Sequence, residues 1–376
     1  MTDAHAVAFR LPNQDPEAIA RGNAFAATAD NPSAIYYNPA GITQLDGHHF
    51  TLGLYLVSAG TEFESSSGLK ARTDTTFQPV PQLYYVYSPE ESRFSYGLGV
   101  YAPYGLSLDW GDNNPFRTLA QNGQIVYATI NPVVAYQVHR TLSIAIGPTI
   151  NYSKAELERG IGVFPGDQFR FKGDGIDYGF NAGLFWHPHE KWAFGLNYRY
   201  ATEIKYKGDS EASPFFPPTS SSGSVRFPQF AVAGVSFRPT ENWNLEVNID
   251  WTDWDNVNEI VFRDTSFGDI PFPLNYTSSF MYQFGVTRKL PNDFFVSAGY
   301  FFSENSSPEE FFNPIVPDSD LHLGSFGFGR RGERWNWAFA YHFGYNPGRD
   351  INNGTLADGT YKTLNHGFNL SATLKF

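Results

Sequence analysis

The sequence predicts an all-β transmembrane barrel of about 14 antiparallel strands, with a partly helical N-terminal segment plugging its lumen. Three observations predict this fold: period-two alternation of apolar and polar residues, connections that are alternately short and long, and an aromatic content of 17%. No apolar run approaches the roughly 20 residues of a membrane-spanning helix, which excludes a helical membrane protein. We predict two parts, a hatch over residues 1–46 and a barrel over residues 47–376.

The alternation is clear between Trp243 and Trp251. Val247 lies on the apolar face with both tryptophans, whereas Glu246 and Asp250 lie on the polar face. Aromatic residues at both ends of an apolar face are typical of strands that cross a bilayer, because Trp and Tyr gather at its two interfaces. The same pattern predicts strands at about 48–60, 77–88, 93–104, 124–138, 141–155, 168–186, 191–206, 223–238, 243–254, 276–289, 294–304, 321–330, 335–346 and 363–376.

The connections between these strands alternate in length. Short turns such as 89–92 and 291–293 are typical of the periplasmic end of a bacterial barrel, whereas long loops are typical of its outer end. The final nine residues alternate strictly down to Phe376, as the last strand of such a barrel does. The predicted outer loops, rich in Pro, Gly, Asn and Ser, are 105–123, 207–222, 255–275, 305–320 and 347–362.

The first 46 residues are rich in alanine and turn residues. Asp15-Pro16 provides an N-cap and a first-turn proline for a short helix that ends near Gly22. Asn31-Pro32 could begin a second helix, stopped by Asn38-Pro39 and Gly41. Such a segment can fold inside a larger cavity, and a surface extension is the alternative.

Composition also narrows the class of partner. The net charge is −12 and no basic run occurs, so we expect no nucleic acid partner. The absence of Cys fits export. No signal peptide is recognisable after Met1, so we expect that it was removed. Neither a Gly-x-Ser-x-Gly elbow nor a His-Glu-x-x-His pair is present, so we predict no enzyme, no cofactor and no metal.

Three stretches resemble the FadL/TodX family of outer-membrane transporters. Residues 20–47 contain Gly-x-Ala-x-Ala followed by Asn-Pro-Ala-Gly, residues 97–110 are similar to the family's third strand and following loop, and residues 250–255 give a third match. The resemblance implies a plugged barrel of 14 strands, with ligand captured at the outer loops and released sideways through a gap in the wall. It also implies a passive monomer in contact with outer-membrane lipid and lipopolysaccharide.

Two groups of candidate residues lie near the predicted third strand. Trp110, Phe116 and Leu119 are apolar in a polar loop, and an exposed apolar patch usually marks a binding surface. We expect them in the outer capture site, although they could only pack the loop onto its neighbours. Pro103 cannot donate a ladder hydrogen bond, and Gly97, Gly99 and Gly105 permit bulging. By the resemblance, Pro103, Tyr104 and Gly105 mark the lateral exit, and a strand end that merely turns is the alternative.

Further candidates lie in the hatch and the lumen. The hatch contributes Phe25, Asn38, Pro39 and Ala40, with the Asn38 amide able to satisfy nearby backbone groups. A carboxylate ligand favours a lumenal cation, and we predict that Lys154 and Arg199 face inward. Either could instead pair with a lumenal acid.

The predicted function is passive outer-membrane uptake of hydrophobic small molecules, either long-chain fatty acids or hydrocarbons. A general diffusion porin and an outer-membrane lipid hydrolase are the alternatives, and a soluble sandwich is a third. Deletion of residues 1–41 should raise ion conductance if they form a plug. Esterase activity would favour the hydrolase, and solubility without detergent the sandwich.

Overall fold

The computed structural model describes residues 8–376, and residues 1–7 of the predicted hatch lie outside that part. One closed sheet of 21 antiparallel strand segments forms the wall. Closure comes from pairing of the first segment, β1 (Gly47–Glu64), with the last, β21 (Gly359–Lys375), from His49 opposite Lys375 to Glu64 opposite Thr360. Seven of these segments each continue the segment before them in the chain after a short interruption of the strand, so the 21 segments make up 14 strands. The wall is therefore a barrel of 14 strands, which confirms the predicted fold class.

The remaining segments lie between these two in chain order. They are β2 (Lys70–Arg72), β3 (Gln78–Ser88), β4 (Phe94–Tyr101), β5 (Gly105–Asp109), β6 (Asn122–His139), β7 (Leu142–Arg159), β8 (Gln168–His189), β9 (Trp192–Arg199), β10 (Thr202–Ser213), β11 (Phe216–Phe227), β12 (Phe230–Thr240), β13 (Trp243–Thr252), β14 (Glu259–Thr265), β15 (Gly268–Pro273), β16 (Ser279–Lys289), β17 (Phe294–Ser303), β18 (Leu321–Arg331), β19 (Trp335–Tyr345) and β20 (Arg349–Ile351).

The barrel is apolar outside and polar inside, as the alternation predicted. Ile146, Val247 and Leu370 are 59%, 47% and 57% exposed, whereas Thr149 and Glu246 are only 2% and 1% exposed. Successive side chains of a strand point to opposite faces, so one register fixes both surfaces. The outward apolar residues form the belt that a bilayer requires.

Two of the predicted outer loops are ordered hairpins. Residues 207–222 continue the pairing of β10 with β11, with Lys207 opposite Ser222, and residues 255–275 contain β14 paired with β15. Both stretches were predicted as long loops, and in the structure they contain paired strands, because backbone pairing in an existing sheet continues even through the Ser- and Pro-rich sequence of 207–222. The barrel wall therefore extends on this side beyond the predicted strands.

Residues 8–46 pack inside the barrel. They form helix α1 (Pro16–Ile19), helix α2 (Ala34–Tyr37) and a 3-10 helix over Pro39–Gln44; two further 3-10 turns, Trp254–Asn256 and Glu309–Phe311, lie in outer connections. The Asp15 side chain accepts from the Glu17 N–H, as expected of an N-cap. The first helix ends at Ile19, earlier than predicted.

Among residues 8–376, no helix combines the length and the apolar character needed to cross a membrane.

Candidate functional site

The third strand of the wall is broken where the sequence predicted weakness. Segment β4 pairs with both β3 and β6, whereas β5 pairs with β6 alone. Residues 78–82 of β3 consequently pair with β1 on one side and with no strand segment on the other. Pro79 and Pro81 lie on this stretch and face outward. Proline is tolerated in a sheet mainly at such an edge, because it has no N–H to donate.

At the break the chain bends towards the N-terminal segment. The Pro103 carbonyl accepts a hydrogen bond from the Leu11 N–H at 2.8 Å, and the Gly105 N–H donates to the Phe9 carbonyl at 2.9 Å. Tyr104 is 2% exposed, and its hydroxyl donates to the Pro228 carbonyl at 2.6 Å. The three predicted exit residues therefore form an inward kink beside an unpaired wall edge.

Gly97 and Gly99 have a different role from the predicted one. Both lie within the regular part of β4, and a Cβ at either position would come within 2.9 Å of the Ile35 side chain. Prediction of a bulge at these two glycines was wrong. They leave space for the N-terminal segment against the wall.

An apolar cavity of about 60 Å³ lies on the outer side of the kink. Its lining includes Phe9, Leu106, Phe171, Phe262 and Ile315. The ring of Phe9 packs against Trp254, with the two centroids 4.8 Å apart, while the Phe9 backbone bonds to Gly105. Phe9 therefore lies between the cavity and the wall break.

The predicted capture residues are buried. Phe116 is 0% exposed and makes edge contacts with Phe63 and Trp110, both at 5.0 Å between centroids. The Trp110 indole N–H donates to the Pro314 carbonyl at 2.9 Å, and Leu119 packs half-buried on the same cluster. The expectation of an exposed patch was wrong, because these side chains fill the outer end of the lumen. None of the three lines the cavity just described.

The exposed apolar surface at the outer end comes from other residues. Val163, Phe164, Phe215, Phe216 and Phe267 are 41% to 67% exposed. Phe164 and Phe215 lie 5.4 Å apart between ring centroids, as do Phe216 and Phe267. We call these five residues the rim patch. Sequence analysis missed it, although Phe215-Phe216 in a predicted outer loop was a usable signal.

A polar clamp joins two outer loops below the rim patch. The Asp167 carboxylate accepts hydrogen bonds from four consecutive backbone N–H groups, residues 161–164, at 2.6 to 3.2 Å. Arg117, beside Phe116, donates to the same carboxylate at 2.9 Å. Burial raises the pKa of Asp167, but these N–H donors and Arg117 outweigh it and hold the pKa well below its usual range. The clamp fixes the 160–167 loop to the loop that carries Phe116.

The predicted hatch residues are buried against the wall. The Asn38 side chain donates to the carbonyls of Ala26 at 2.8 Å and Leu184 at 3.0 Å, and it accepts from the Ala40 N–H at 3.2 Å. Asn38 thus satisfies backbone groups as predicted. Pro39 follows as the first residue of the 3-10 helix, and Phe25 is 0% exposed.

Ion pairs also tie residues 8–46 to the wall. Arg10 donates twice to Asp250 of β13, at 2.6 and 2.8 Å, and Arg21 contacts Glu246 of the same strand at 3.3 Å. At the periplasmic end of β18, Arg331 donates to Asp30 and Glu17. Breaking such a buried pair leaves one charge without a partner, which is strongly destabilising.

Arg199 faces the lumen, as predicted, and is 3% exposed. Its guanidinium lies near the rings of Tyr36, Tyr101 and Phe230, at 5.6, 5.2 and 5.8 Å from their centroids, and it donates to the Tyr101 hydroxyl. Within the part of the chain that the structure describes, no carboxylate lies within 4.0 Å of this guanidinium, and its Nε has no hydrogen-bond partner. No lumenal acid among residues 8–376 therefore neutralises Arg199.

Lys154 does not face the lumen. On β7 the Ser153 side chain is buried in the lumen and bonds to Tyr206, while Tyr152 is 41% exposed on the outer face. Lys154 shares the face of Tyr152 because side chains alternate along a strand. Prediction of Lys154 as a lumenal carboxylate contact was therefore wrong.

Comparison with known proteins identifies the family. The profile described as "Outer membrane protein transport protein (OMPP1/FadL/TodX)" matches residues 1–344. The long-chain fatty acid transport protein of Escherichia coli (strain K12) is 21% identical over 380 residues, covering 87% of this chain and 84% of that protein. Outer membrane protein P1 of Haemophilus influenzae is 22% identical over 383 residues, covering 86% of this chain and 82% of that protein.

Solved structures show the same fold. A Pseudomonas aeruginosa FadL homologue gives a TM-score of 0.87 at 19% identity, covering 98% of this chain and 100% of that one. The Pseudomonas putida toluene transporter TodX gives 0.79 at 17% identity, with the same coverage of each chain. Since the family profile spans most of the sequence, this chain belongs to the OMPP1/FadL/TodX family of outer-membrane transport proteins.

Proposed function

We propose that this protein is a passive channel that takes up fatty acids or hydrocarbons and releases them sideways through its wall. The unpaired edge of β3 beside the kink at Pro103, Tyr104 and Gly105 carries this proposal. A closed barrel has no other need for an unpaired edge, because pairing normally removes every edge. An oily solute that leaves through the wall enters the membrane without crossing water.

Capture begins at the outer end. The rim patch offers exposed aromatic surface, which favours contact with apolar solutes. Below it, Trp110, Phe116 and Leu119 close the outer end of the lumen and lead to the cavity. These three residues act as a gate through which solutes pass. The clamp between Arg117 and Asp167 holds the loop that carries Phe116.

Transfer from the cavity to the wall requires Phe9 to move. Its ring borders the cavity, and its carbonyl holds the kink through the Gly105 N–H. A shift of residues 9–11 would open the cavity towards the unpaired edge. Residues 12–46 act as a hatch that blocks the lumen below, which favours this route over a general diffusion pore.

Arg199 favours a carboxylated solute over a neutral one. A buried guanidinium without a carboxylate partner is costly, and a ligand carboxylate would supply both charge and hydrogen-bond acceptors. Arg10, close by across Phe230, is already paired with Asp250. We therefore place long-chain fatty acids ahead of hydrocarbons.

A thiol label at the kink tests the route. The chain contains no cysteine, so Ala102→Cys at the kink and Ala298→Cys on the outward face of β17 each accept a bulky uncharged maleimide at one position. We expect labelling at position 102 to reduce uptake of fatty acid by cells that express the protein, and labelling at position 298 to leave uptake unchanged. Equal uptake by both labelled variants would contradict lateral release.

A further inference from the structure

On the outward face of β7, β8 and β10, apolar side chains give way to charged side chains at one level of the wall. On β7 the apolar belt ends with Tyr152, and on β8 it ends with Ile176, which lies opposite Tyr152. One outward position further out, Lys154 lies opposite Asp174, and Lys207 of β10 lies on the other side of Asp174. Consecutive outward positions on a strand are about 7 Å apart. Lys154 and Lys207 therefore lie on either side of Asp174, immediately above the outer end of the apolar belt.

These lysines are not neutralised by the protein. Neither Lys154 nor Lys207 approaches a carboxylate within 4.0 Å anywhere in residues 8–376, and the same holds for Lys205, one outward position below Lys207. Further out on β7 and β8 the charges pair: Arg170 contacts Glu158 at 3.0 Å and also binds Glu156. Lys154 and Lys207, with Asp174 between them, give this level a net charge of about +1, and Lys205 adds a further positive charge one outward position below.

Among the described residues, the opposite side of the barrel lacks such a group. At the outer end of β17 and β18 the outward residues are Glu304 and His322, which bond to Tyr282 and Tyr300 of the belt. Among the described residues, Lys362 of β21 is a further outward lysine without a carboxylate within 4.0 Å, but it stands alone above Leu364, opposite Glu62 of β1. A group of three such lysines therefore lies on the β7–β10 face, at the depth where the first polar groups of the outer leaflet lie. Cations near a membrane surface are attracted to anionic headgroups.

We propose that Lys154, Lys205 and Lys207 form a binding site for the phosphate groups of the outer-leaflet glycolipid. Adjacent strands lie about 4.8 Å apart, so the ammonium groups of Lys154 and Lys207 can converge on one phosphate above Asp174. The long hairpin of β10 and β11 lies alongside and provides Ser222 and Ser224 opposite Lys207 and Lys205. The site anchors this face of the barrel in the leaflet and is independent of the transport route.

The test measures binding of bis-phosphorylated lipid A to the detergent-solubilised full chain by native mass spectrometry. We expect the variant K154Q/K205Q/K207Q to bind roughly a hundredfold more weakly, since each of the three cations contributes roughly fivefold. The variant K70Q/K191Q/K289Q makes the same charge change elsewhere and should bind as the native chain does. The arginine variant K154R/K205R/K207R should retain binding, which separates lost charge from lost folding.

Two comparisons distinguish the glycolipid from other sources of phosphate. Lipid A stripped of both phosphates should bind native protein and K154Q/K205Q/K207Q equally weakly. Inorganic phosphate at the same concentration should not displace lipid A. Equal losses in the two glutamine variants, or displacement by inorganic phosphate at that concentration, would overturn the proposal. Uptake of fatty acid should be unchanged in K154Q/K205Q/K207Q, so failure here leaves the proposed transport function untouched.

Discussion

Arg199→Gln removes the buried guanidinium that we propose receives a ligand carboxylate. The side chain is 3% exposed and surrounded by Tyr36, Tyr101 and Phe230, so a carboxylate that reaches it loses most of its water. A hydrogen bond to a charged group contributes about 1.5–3 kcal/mol. At 1.4 kcal/mol for each factor of ten, its loss should weaken fatty acid binding by roughly 10- to 150-fold.

The methyl ester of the same fatty acid provides the internal comparison. It has the same chain but no charge, so Arg199→Gln should change its affinity by less than about twofold, within the spread of a neutral hydrogen bond. Binding is measured by quenching of the tryptophan fluorescence, because the chain has 8 Trp. Arg226→Gln is the matched control, since Arg226 is exposed on the outer wall and contacts Glu203 at 3.5 Å.

Three outcomes have distinct meanings in this experiment. Selective loss of fatty acid binding supports a carboxylate contact at Arg199. Equal weakening of acid and ester would refute it and leave Arg199 with a role in shaping the lumen. Unchanged binding of both ligands would refute it as well, because the Arg199 guanidinium would then contribute nothing to recognition of the carboxylate.

The remaining predictions concern the hatch, the outer loops and the absence of catalysis. Gly97→Val would place new atoms against Ile35, which should lower the stability of the packed hatch by about 1–3 kcal/mol and raise ion conductance in planar bilayers. Gly324→Val is the control, because a Cβ there meets nothing within 4 Å, and it should leave conductance unchanged. Equal conductances of the two variants would argue against a plug. Folding lowers the pKa of Asp167. Its clamp should therefore be fully present at pH values above the pKa of the unfolded chain, about 3.9. The clamp should be lost only as the pH falls from there towards the folded pKa. Hydrogen-exchange protection of residues 161–164 measures this, with Arg117→Gln expected to reduce protection at neutral pH; loss of protection in native protein between pH 8 and 5 would contradict it. Purified protein should not hydrolyse esters or phospholipids above the buffer rate, and turnover that copurifies with the barrel would contradict the transporter assignment.

Local pattern was enough for most of the wall. Period-two alternation predicted the strand around Ile146 and the strand from Trp243 to Trp251, because a side chain's face depends only on its position in the strand. The same rule places Lys154 with Tyr152 on the outer face. The wrong prediction that Lys154 faces the lumen therefore came from a miscounted alternation and not from missing information. Strand ends were less well determined, since pairing continued into Ser- and Pro-rich stretches such as 207–222.

Other features depended on residues far apart in the sequence. Gly97 looks like a flexible position until Ile35 is found against it, and Phe116 looks exposed until Phe63 covers it. The rim patch joins rings from three separate hairpins.

The order of residues was enough to predict the barrel, its two faces, its short and long ends and, through the motifs at residues 20–47, its family. Those properties are set by residues close together in the chain. Three features became visible only in the folded chain: the kink at Pro103 leaves residues 78–82 of β3 unpaired on one side, Phe9 lies between cavity and wall, and Arg199 has no carboxylate partner among the described residues. Each of these depends on where distant segments meet after the barrel closes, and a one-dimensional pattern carries no such distance.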